Sequence, residues 1–492
     1  MKHLSFKRTT KYYISGCVLV ALSYFAIFHN IGKEPIKMWD EATYANNAID
    51  MLTNKNYITV MDGSKPDLYN TKPPFVIWLQ ALAMNLFGIN EFSVRLPSAI
   101  FGFLTIMLTF LFSLKVLKNW FIGLIAALIL LSSSGYIGYH IVRTGDLDSS
   151  LTFWLTLYVF AFIATLIDKK YQKNLVYLLI SLSICFAFLT KGVAAFLFLP
   201  PLFILSLLYK NYHLYTHKRV YYSLLVIFLF CSSYYLLREW DNPGYLKIVW
   251  ENEISRINKV VMEWQVKPYD FYLINLIETR FYPYSYLVPL AIVTFIFKNK
   301  NAIPFKSTLY LLLVSCGYLL IISYPSVKLS WYDAPLFPLL SLLVAINMNT
   351  IIDVIKVKTN LIKSILVVLL LFNVCITINN NTSPKGKIYT MEIEGAFLKE
   401  IVAIYPNLEN ITIFKKEDHP EHYDQVLFYK KAFLLEKNIL VELKQSPVFK
   451  TSELVIVCKN ELKTILKDTY NTEGIYETEV GGLYRIIDEI KE

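Results

Sequence analysis

Glycine-rich phosphate loops, paired cysteines, a cleavable leader and a basic face are all missing from this chain, and each absence closes off a class of function. Glycine is sparse, 17 of 492 residues, and no Gly-rich loop follows a strand, which argues against a nucleotide-binding fold and a nucleotide metal site. The six cysteines stand singly, Cys17, Cys185, Cys231, Cys316 and Cys375 inside apolar runs and Cys458 in the polar C-terminal part, so their spacing supports neither a disulfide framework nor a metal-ligand set. The net charge is +10, yet the Lys and Arg lie in short clusters between apolar runs, which excludes a nucleic-acid-binding surface. The first apolar run, 13–31, follows Lys2, Lys7, Arg8 and Lys11 but lacks a small-residue cleavage site, and reads as an uncleaved first helix. No internal repeat is visible.

What is present is apolar side chain: 55% of the residues are hydrophobic, 15% aromatic, and the mean hydropathy is +0.44. That average belongs to a polytopic membrane protein. Mostly apolar segments of spanning length occur at 13–31, 97–116, 120–138, 150–167, 175–190, 193–209, 220–237, 284–297, 307–324, 334–352 and 361–379, about eleven spans. The shorter run Phe75–Phe87 is predicted to lie along the membrane. If it does not cross, the loops holding Lys115 and Lys118, Lys169 and Lys170, Lys218 and Arg219, Lys298 and Lys300, and Lys356 and Lys358 fall on the same side as the basic N-terminus. That side is then cytoplasmic.

The polar segments 32–96, 139–149, Lys191–Gly192, 238–283, 325–333 and everything after about 380 consequently share the outer surface. Within 238–283, Ile254, Ile257, Val261 and Trp264 recur at helical spacing among charged residues, the pattern of an interfacial helix anchored by Trp240, Trp250 and Trp264. After Asn379 the composition shifts to charged stretches, short β-type runs at 411–414, 426–429 and 454–457, a helical segment from Glu394 to Tyr405, and a Gly481-Gly482 turn before a last strand. The expected architecture is therefore mainly α: a membrane helix bundle at 1–379 and a small soluble α/β domain at 380–492, without a catalytic motif of its own.

Chemistry-bearing residues concentrate on the outer side. Asp40 and Glu41 open a helical pattern (Ala42, Ala45, Ala48, Ile49, Leu52); Asp40 reads either as a helix cap or as a general base at the membrane surface. Lys72, before Pro73 and Pro74, either snorkels or binds a phosphate as a point charge. Arg143, Asp146 and Asp148 fall within six residues at the outer end of a span, with Asp148 also placed as a helix N-cap, and together they point to a site. Lys328 and Tyr332, beside Asp333, form another outer turn, and Lys191 stands between two spans.

These residues lie in stretches that carry a family resemblance. WDEATYA at 39–45, TKPPFVIWLQALAMNLFG at 71–88, RLPSAIFG at 95–102, RTGDLDSSLTFWLTL at 143–157, LTKG at 189–192 and KLSWYDAPLFPLL at 328–340 follow the order seen in membrane glycosyltransferases of the GT-C type. More closely, the chain resembles the superfamily of bacterial aminoarabinose lipid A transferases and protein O-mannosyltransferases. The C-terminal part matches in position and size alone. The resemblance implies catalytic roles for Asp40, Glu41 and Asp148. It implies donor or acceptor binding by Lys72, Arg143, Asp146, Lys328 and Tyr332, with the lysines and Arg143 neutralising a lipid phosphate. One departure is Thr71, where many relatives carry a glutamate before the lysine.

The function so implied is inverting transfer of a sugar from a polyprenyl-phosphate donor to a lipid, protein or glycan acceptor at the outer face of a bacterial inner membrane. No metal ligands are assigned and no cofactor is certain, though the chemistry leaves room for a divalent metal. A lipid-linked sugar transporter or flippase is the alternative; it calls for charges buried within spans and internal repeats, and the spans carry few charges.

Overall fold

The computed structural model describes residues 2–68, 70–208, 217–255, 263–382, 392–415 and 423–490. Among them, eight helices are long and apolar enough to cross a membrane: Thr10–Phe28, Glu91–Leu117, Asp148–Ile167, Asn174–Phe196, Lys218–Asp241, Ile303–Ser323, Leu336–Ile355 and Thr359–Thr382. Phe75–Phe87 is a separate 13-residue helix, with the bounds read from sequence.

Three expected spans differ. The run 120–138 forms a helix only over Trp120–Ser132, then breaks at Ser133 before a single turn at Ser134–Ile137. All of that helix except Trp120 is buried, so its unbroken apolar character reflects protein neighbours on every side. In 193–209 the described helix is Leu199–Leu208, which ends where the described residues end. Residues 284–297 begin as a 3-10 turn containing Pro289, and the pair Phe271–Arg280 and Tyr284–Phe297 is bent by 115°, counting as a ninth span only if read as one broken helix. Among the described residues, eight helices, or nine with the bent pair, thus meet the length and apolarity of a span, beside the shorter apolar helices.

Much of the proposed interfacial helix, including Ile257 and Val261, lies outside the described residues; on either side of it Trp250 and Trp264 are exposed, as is Trp240. In the C-terminal part the runs at 411–414 and 454–457 are strands as expected. The run at 426–429 is not: it lies in the helix Asp424–Lys437, where Gln425, Val426, Phe428, Tyr429, Ala432 and Phe433 are buried. That is a 3.6-residue period, invisible in four apolar residues taken alone.

After a hairpin of β1 (Met61–Asp62) and β2 (Lys65–Pro66), the remaining strands are β3 (Asn410–Phe414), β4 (Leu440–Lys444), β5 (Leu454–Val457), β6 (Tyr470–Glu477) and β7 (Gly482–Glu489). They form one sheet of order β4-β3-β5-β7-β6, with β3 parallel to β4 and β5, and β7 antiparallel to β5 and β6.

This sheet unit shares a hydrophobic core with the helix Asp40–Asn54: Ile36, Ala42, Ala45 and Ile49 pack in one cluster with Phe397, Ile401, Tyr429 and Phe433. Polar contacts line the same seam. Thr43 donates to Asp424 Oδ2 (2.7 Å), Asn46 Nδ2 to the Asp424 carbonyl (2.9 Å), and Lys431 pairs with Asp50 (2.7 Å). Glu392 accepts from the Met38 amide (3.2 Å), two residues before Asp40.

Burial pushes the Asp424 carboxyl up from 3.8 to about 6, reinforced by Asp62 and Asp67 and opposed by the Thr43 hydrogen bond. A carboxyl raised in the folded state binds protons more tightly there than when unfolded. Its penalty is thus fully present above about pH 6 and is relieved as the pH falls from there toward 3.8. Asp424→Asn, which can still accept from Thr43, is therefore expected to stabilise the protein by about 1–2 kcal/mol at pH 7.5 after allowance for solvent screening. Thermal melts at pH 7.5 and pH 4.5 check this: the gain should shrink at the lower pH, and a destabilised variant at pH 7.5 would contradict it.

Candidate active site

The helix Asp40–Asn54 begins without a side-chain cap: Trp39 precedes it at φ 68°, and among the described residues nothing hydrogen-bonds to the Asp40 carboxylate. The capping reading thus fails, and the carboxylate is left unspent. Burial raises the Asp40 pKa above 3.8, and Asp146 and Asp148 add to this against His140 and Lys191. Tyr44, one turn along, lies among the same acids: burial drives its hydroxyl well above 10, with Asp40, Asp146 and Asp148 contributing.

Asp40, Asp146 and Asp148 therefore do come together, and the structure supplies them with partners. Lys191 donates to both oxygens of Asp148 (2.7 and 2.9 Å) and lies 5.2 Å from the centre of the Tyr332 ring. The Asp148 side chain holds this lysine rather than capping its own helix, which starts with no side-chain cap. Asp146 Oδ1 lies 3.2 Å from His140 Nδ1, and its Oδ2 accepts from the Thr144 hydroxyl. The His140 carboxylate neighbour outweighs burial and raises the imidazole pKa; reciprocally, His140 holds Asp146 below 3.8 despite burial. The His140 ring stacks on Trp331 with centroids 3.6 Å apart and planes at 11°. Sequence reasoning passed over His140, which lies in no recognised motif; its position three residues before Arg143 was the available signal.

Glu41 is placed differently. Its two oxygens accept from Arg95 Nε (2.7 Å) and Nη2 (2.9 Å), the Gly145 amide (2.7 Å) and the Lys37 amide (2.7 Å), and it is 1% exposed. A carboxylate so saturated ties the start of the Asp40 helix to the span Glu91–Leu117 and to the loop before Asp148, a positioning arrangement instead of the catalytic one expected. Arg143 is likewise committed elsewhere: its guanidinium donates to the carbonyls of Ala26 (3.1 Å), Ile27 (3.0 Å) and His29 (3.1 Å), closing the end of the first span. Lys328 is buried, and its ammonium donates to the carbonyls of Lys267 (3.0 Å) and Pro325. The turn it begins still serves the site through Trp331 and Tyr332, and Asp333 is held by Arg280 (2.7 Å).

Lys72 remains partly exposed, 26% by side chain, and pairs with Glu253 Oε1 at 2.9 Å; the Thr71 hydroxyl reaches the same oxygen at 3.1 Å. A carboxylate beside the lysine is thus present after all, from a residue far along the chain. Glu253 also packs on Gly192, where φ is +52° and an added Cβ would meet Glu253 Oε2 at 2.7 Å. Only glycine fits there, and the contact joins the Lys72 pair to the segment carrying Lys191. Asn70 braces the entry: its Oδ1 accepts from the Lys72 amide (3.2 Å), and its Nδ2 donates to Asn47 on the Asp40 helix (3.0 Å).

A bundle of apolar helices with acids and cations gathered at the ends of its spans, over a first polar segment braced by a C-terminal sheet unit, is the arrangement that the resemblance of the motifs implied. The comparisons agree on the fold. Two crystal structures of ArnT from Cupriavidus metallidurans, one bound to undecaprenyl phosphate and one apo, superpose with TM-scores of 0.66 and 0.67 at 13% identity. Each alignment covers 97% of this chain and 98% of the other.

In sequence, residues 17–240 match the dolichyl-phosphate-mannose-protein mannosyltransferase family. The chain is 33% identical over 188 residues to an undecaprenyl phosphate-alpha-4-amino-4-deoxy-L-arabinose arabinosyl transferase of Wigglesworthia glossinidia brevipalpis, covering 36% of this chain and 32% of that one. It is 25% identical over 324 residues to a protein of Aquifex aeolicus, covering 66% and 62%. The alignments thus span between a third and somewhat under two thirds of these relatives' own lengths. The resemblance read from the motifs stands: the chain is similar to aminoarabinose and protein mannosyl transferases, and shares the fold of the ArnT structures.

Proposed function

We propose that this protein transfers a sugar from a polyprenyl-phosphate donor to a cell-envelope acceptor at the outer face of a bacterial inner membrane, with inversion at the anomeric carbon. The observation that carries the reading is the Asp40 carboxylate: half-buried, raised in pKa, without a hydrogen bond among the described residues, and set beside Lys191 at the ends of the spans. An acceptor hydroxyl attacks the anomeric carbon while Asp40 takes its proton, and the carbon–oxygen bond to the lipid phosphate breaks. The phosphate leaves without protonation because a cation neutralises it. Lys72 is the accessible lysine for this, exchanging Glu253 for the phosphate. Asp148 holds Lys191 against Tyr332 to shape the same pocket. Similarity to the arabinosyl transferases supports a lipid-linked donor. In this reading residues 1–379 form the transfer domain, and 380–492 an extracytoplasmic brace for the Asp40 helix.

The role of Lys72 has a direct test. Lys72→Ala is expected to raise the KM for a synthetic polyprenyl-phosphate-sugar donor by at least tenfold, with a smaller effect on the acceptor KM. An effect no larger than that of replacing the exposed Lys55 would sink the assignment.

A further inference from the structure

Arg238, in the last turn of the span Lys218–Asp241, is 1% exposed, yet its guanidinium is only partly used. Nη1 donates to the Thr59 hydroxyl, which itself donates to Asp241 Oδ2, while Nε and Nη2 have no hydrogen-bond partner among the described residues. That vacant edge is the one the other buried arginine pairs employ. Arg95 grips Glu41 through Nε and Nη2 (2.7 and 2.9 Å), and Arg280 grips Asp333 through the same two nitrogens (both 2.7 Å). A buried fork without an anion is costly, and the Tyr245 ring, 4.5 Å from the guanidinium carbon, offsets only part of the cost. Glu253 is the carboxylate placed to fill it. Its Oε1 holds Lys72 and the Thr71 hydroxyl, whereas its Oε2 accepts no hydrogen bond among the described residues. The two groups share neighbours: the Tyr245 hydroxyl donates to the Thr71 carbonyl (2.7 Å), and the charges of Arg238 and Glu253 both act on the Tyr234 hydroxyl. The acids on Arg238's own segment are engaged, Asp241 by Thr59 and Glu239 by the amides of Gly244 (2.7 Å) and Leu246 (2.8 Å).

We propose that Arg238 is a positioning residue for the donor: when the lipid phosphate takes Lys72, the released Glu253 carboxylate turns onto the Nε and Nη2 edge of Arg238. The inference rests on the reading of Lys72 as the phosphate's partner. That reading requires a second cation. The Glu253 side chain is 5% exposed, so a phosphate that merely displaced it would strand a buried charge and lose much of the affinity gained at Lys72. A bidentate pair with a planar guanidinium removes the penalty, and it joins the first polar segment, through Thr59, to the segment carrying Glu253. The same turn of the side chain withdraws Glu253 from Gly192, where its Oε2 fills the space a Cβ would occupy. Arrival of the donor is thereby felt at the residue next to Lys191, the partner of Asp148.

The test is a double-mutant cycle on binding. A polyprenyl phosphate is titrated calorimetrically into the full-length chain in detergent, as wild type, Arg238→Gln, Glu253→Gln and the double variant, with thermal melts to verify folding. Glu253→Gln removes the group competing for Lys72 and is expected to bind at least as tightly as wild type. Arg238→Gln is expected to raise the Kd by about tenfold or more, because Glu253 then has no cation to receive it, and by less than about twofold in the Glu253→Gln background. An arginine that is merely structural, or that binds the phosphate itself, costs the same in both backgrounds; that result, or an unchanged Kd in Arg238→Gln, would overturn the proposal. Where Arg238→Gln fails to fold, Arg238→Lys takes its place, with a loss of about threefold expected only while Glu253 is present, since one ammonium cannot grip Thr59 and both carboxylate oxygens. Lys72→Ala separates the proposal from the reading beneath it. An unchanged Kd in Lys72→Ala, with Arg238 and Glu253 still coupled, removes Lys72 as the phosphate's partner and keeps Arg238 as the receiver of Glu253; a weakened Lys72→Ala without that coupling removes the Arg238 role alone.

Discussion

Asp40→Asn is expected to reduce sugar transfer by about a thousandfold, within the range seen when a general base is removed, while leaving the protein folded and inserted. The geometry explains why both halves of that result should hold together. Asparagine has nearly the same shape, and the carboxylate it replaces accepts no hydrogen bond, so no structural partner is lost. What disappears is the only part of the side chain able to take a proton. The measurement is a mass comparison of envelope lipids, glycans and proteins from cells expressing the two forms at equal level. A sugar-sized mass missing from one class in the variant identifies the acceptor class. Identical profiles would return Asp40 to a structural role and bring the transporter alternative forward.

Arg95→Leu is expected to cost about 3–5 kcal/mol of stability, the penalty of leaving one partner of a buried ion pair unmatched. The guanidinium binds both Glu41 oxygens and also the carbonyls of Ile31 (2.9 Å), Glu34 (2.8 Å) and Pro35 (2.7 Å), so its loss strands a buried carboxylate and three acceptors together. Thermal unfolding in detergent reads the loss. Glu41→Gln separates positioning from catalysis: a positioning role lowers the melting temperature and transfer together. If stability were unchanged and transfer abolished, Glu41 would be catalytic, as the motif first suggested.

Much of the site's membership was legible without coordinates, and little of its division of labour. Asp40, Lys72, Asp146, Asp148 and Tyr332 announced themselves as polar residues at the ends of apolar runs, where a charge is too costly to lack a purpose. Their partners did not. Glu41 meets Arg95 across 54 positions, Lys72 meets Glu253 across 181, and Lys191 meets Asp148 across 43. Arg143 and Lys328 looked like phosphate cations by type, yet both ammonium and guanidinium groups are occupied by backbone carbonyls. His140 gave only a weak signal, its closeness to Arg143, because one histidine in a loop matches no pattern.

By itself the sequence determined the class of molecule: apolar runs too long for a soluble core, a short helix at 75–87 bounded by its own prolines and glycine, and polar segments that lipid would exclude. Those features depend on neighbours along the chain, so a local period or composition reports them. Only the tertiary structure decided that Trp120–Ser132 is an interior helix, that residues 426–429 are helical, and that Asp40 is free where Glu41 is saturated. The reason is that the fate of a charged group is set by what surrounds it in space. Burial and pairing bring those surroundings from distant parts of the chain, as when Tyr429 accepts from the Ile36 amide across 393 positions to seat the sheet unit beside Asp40.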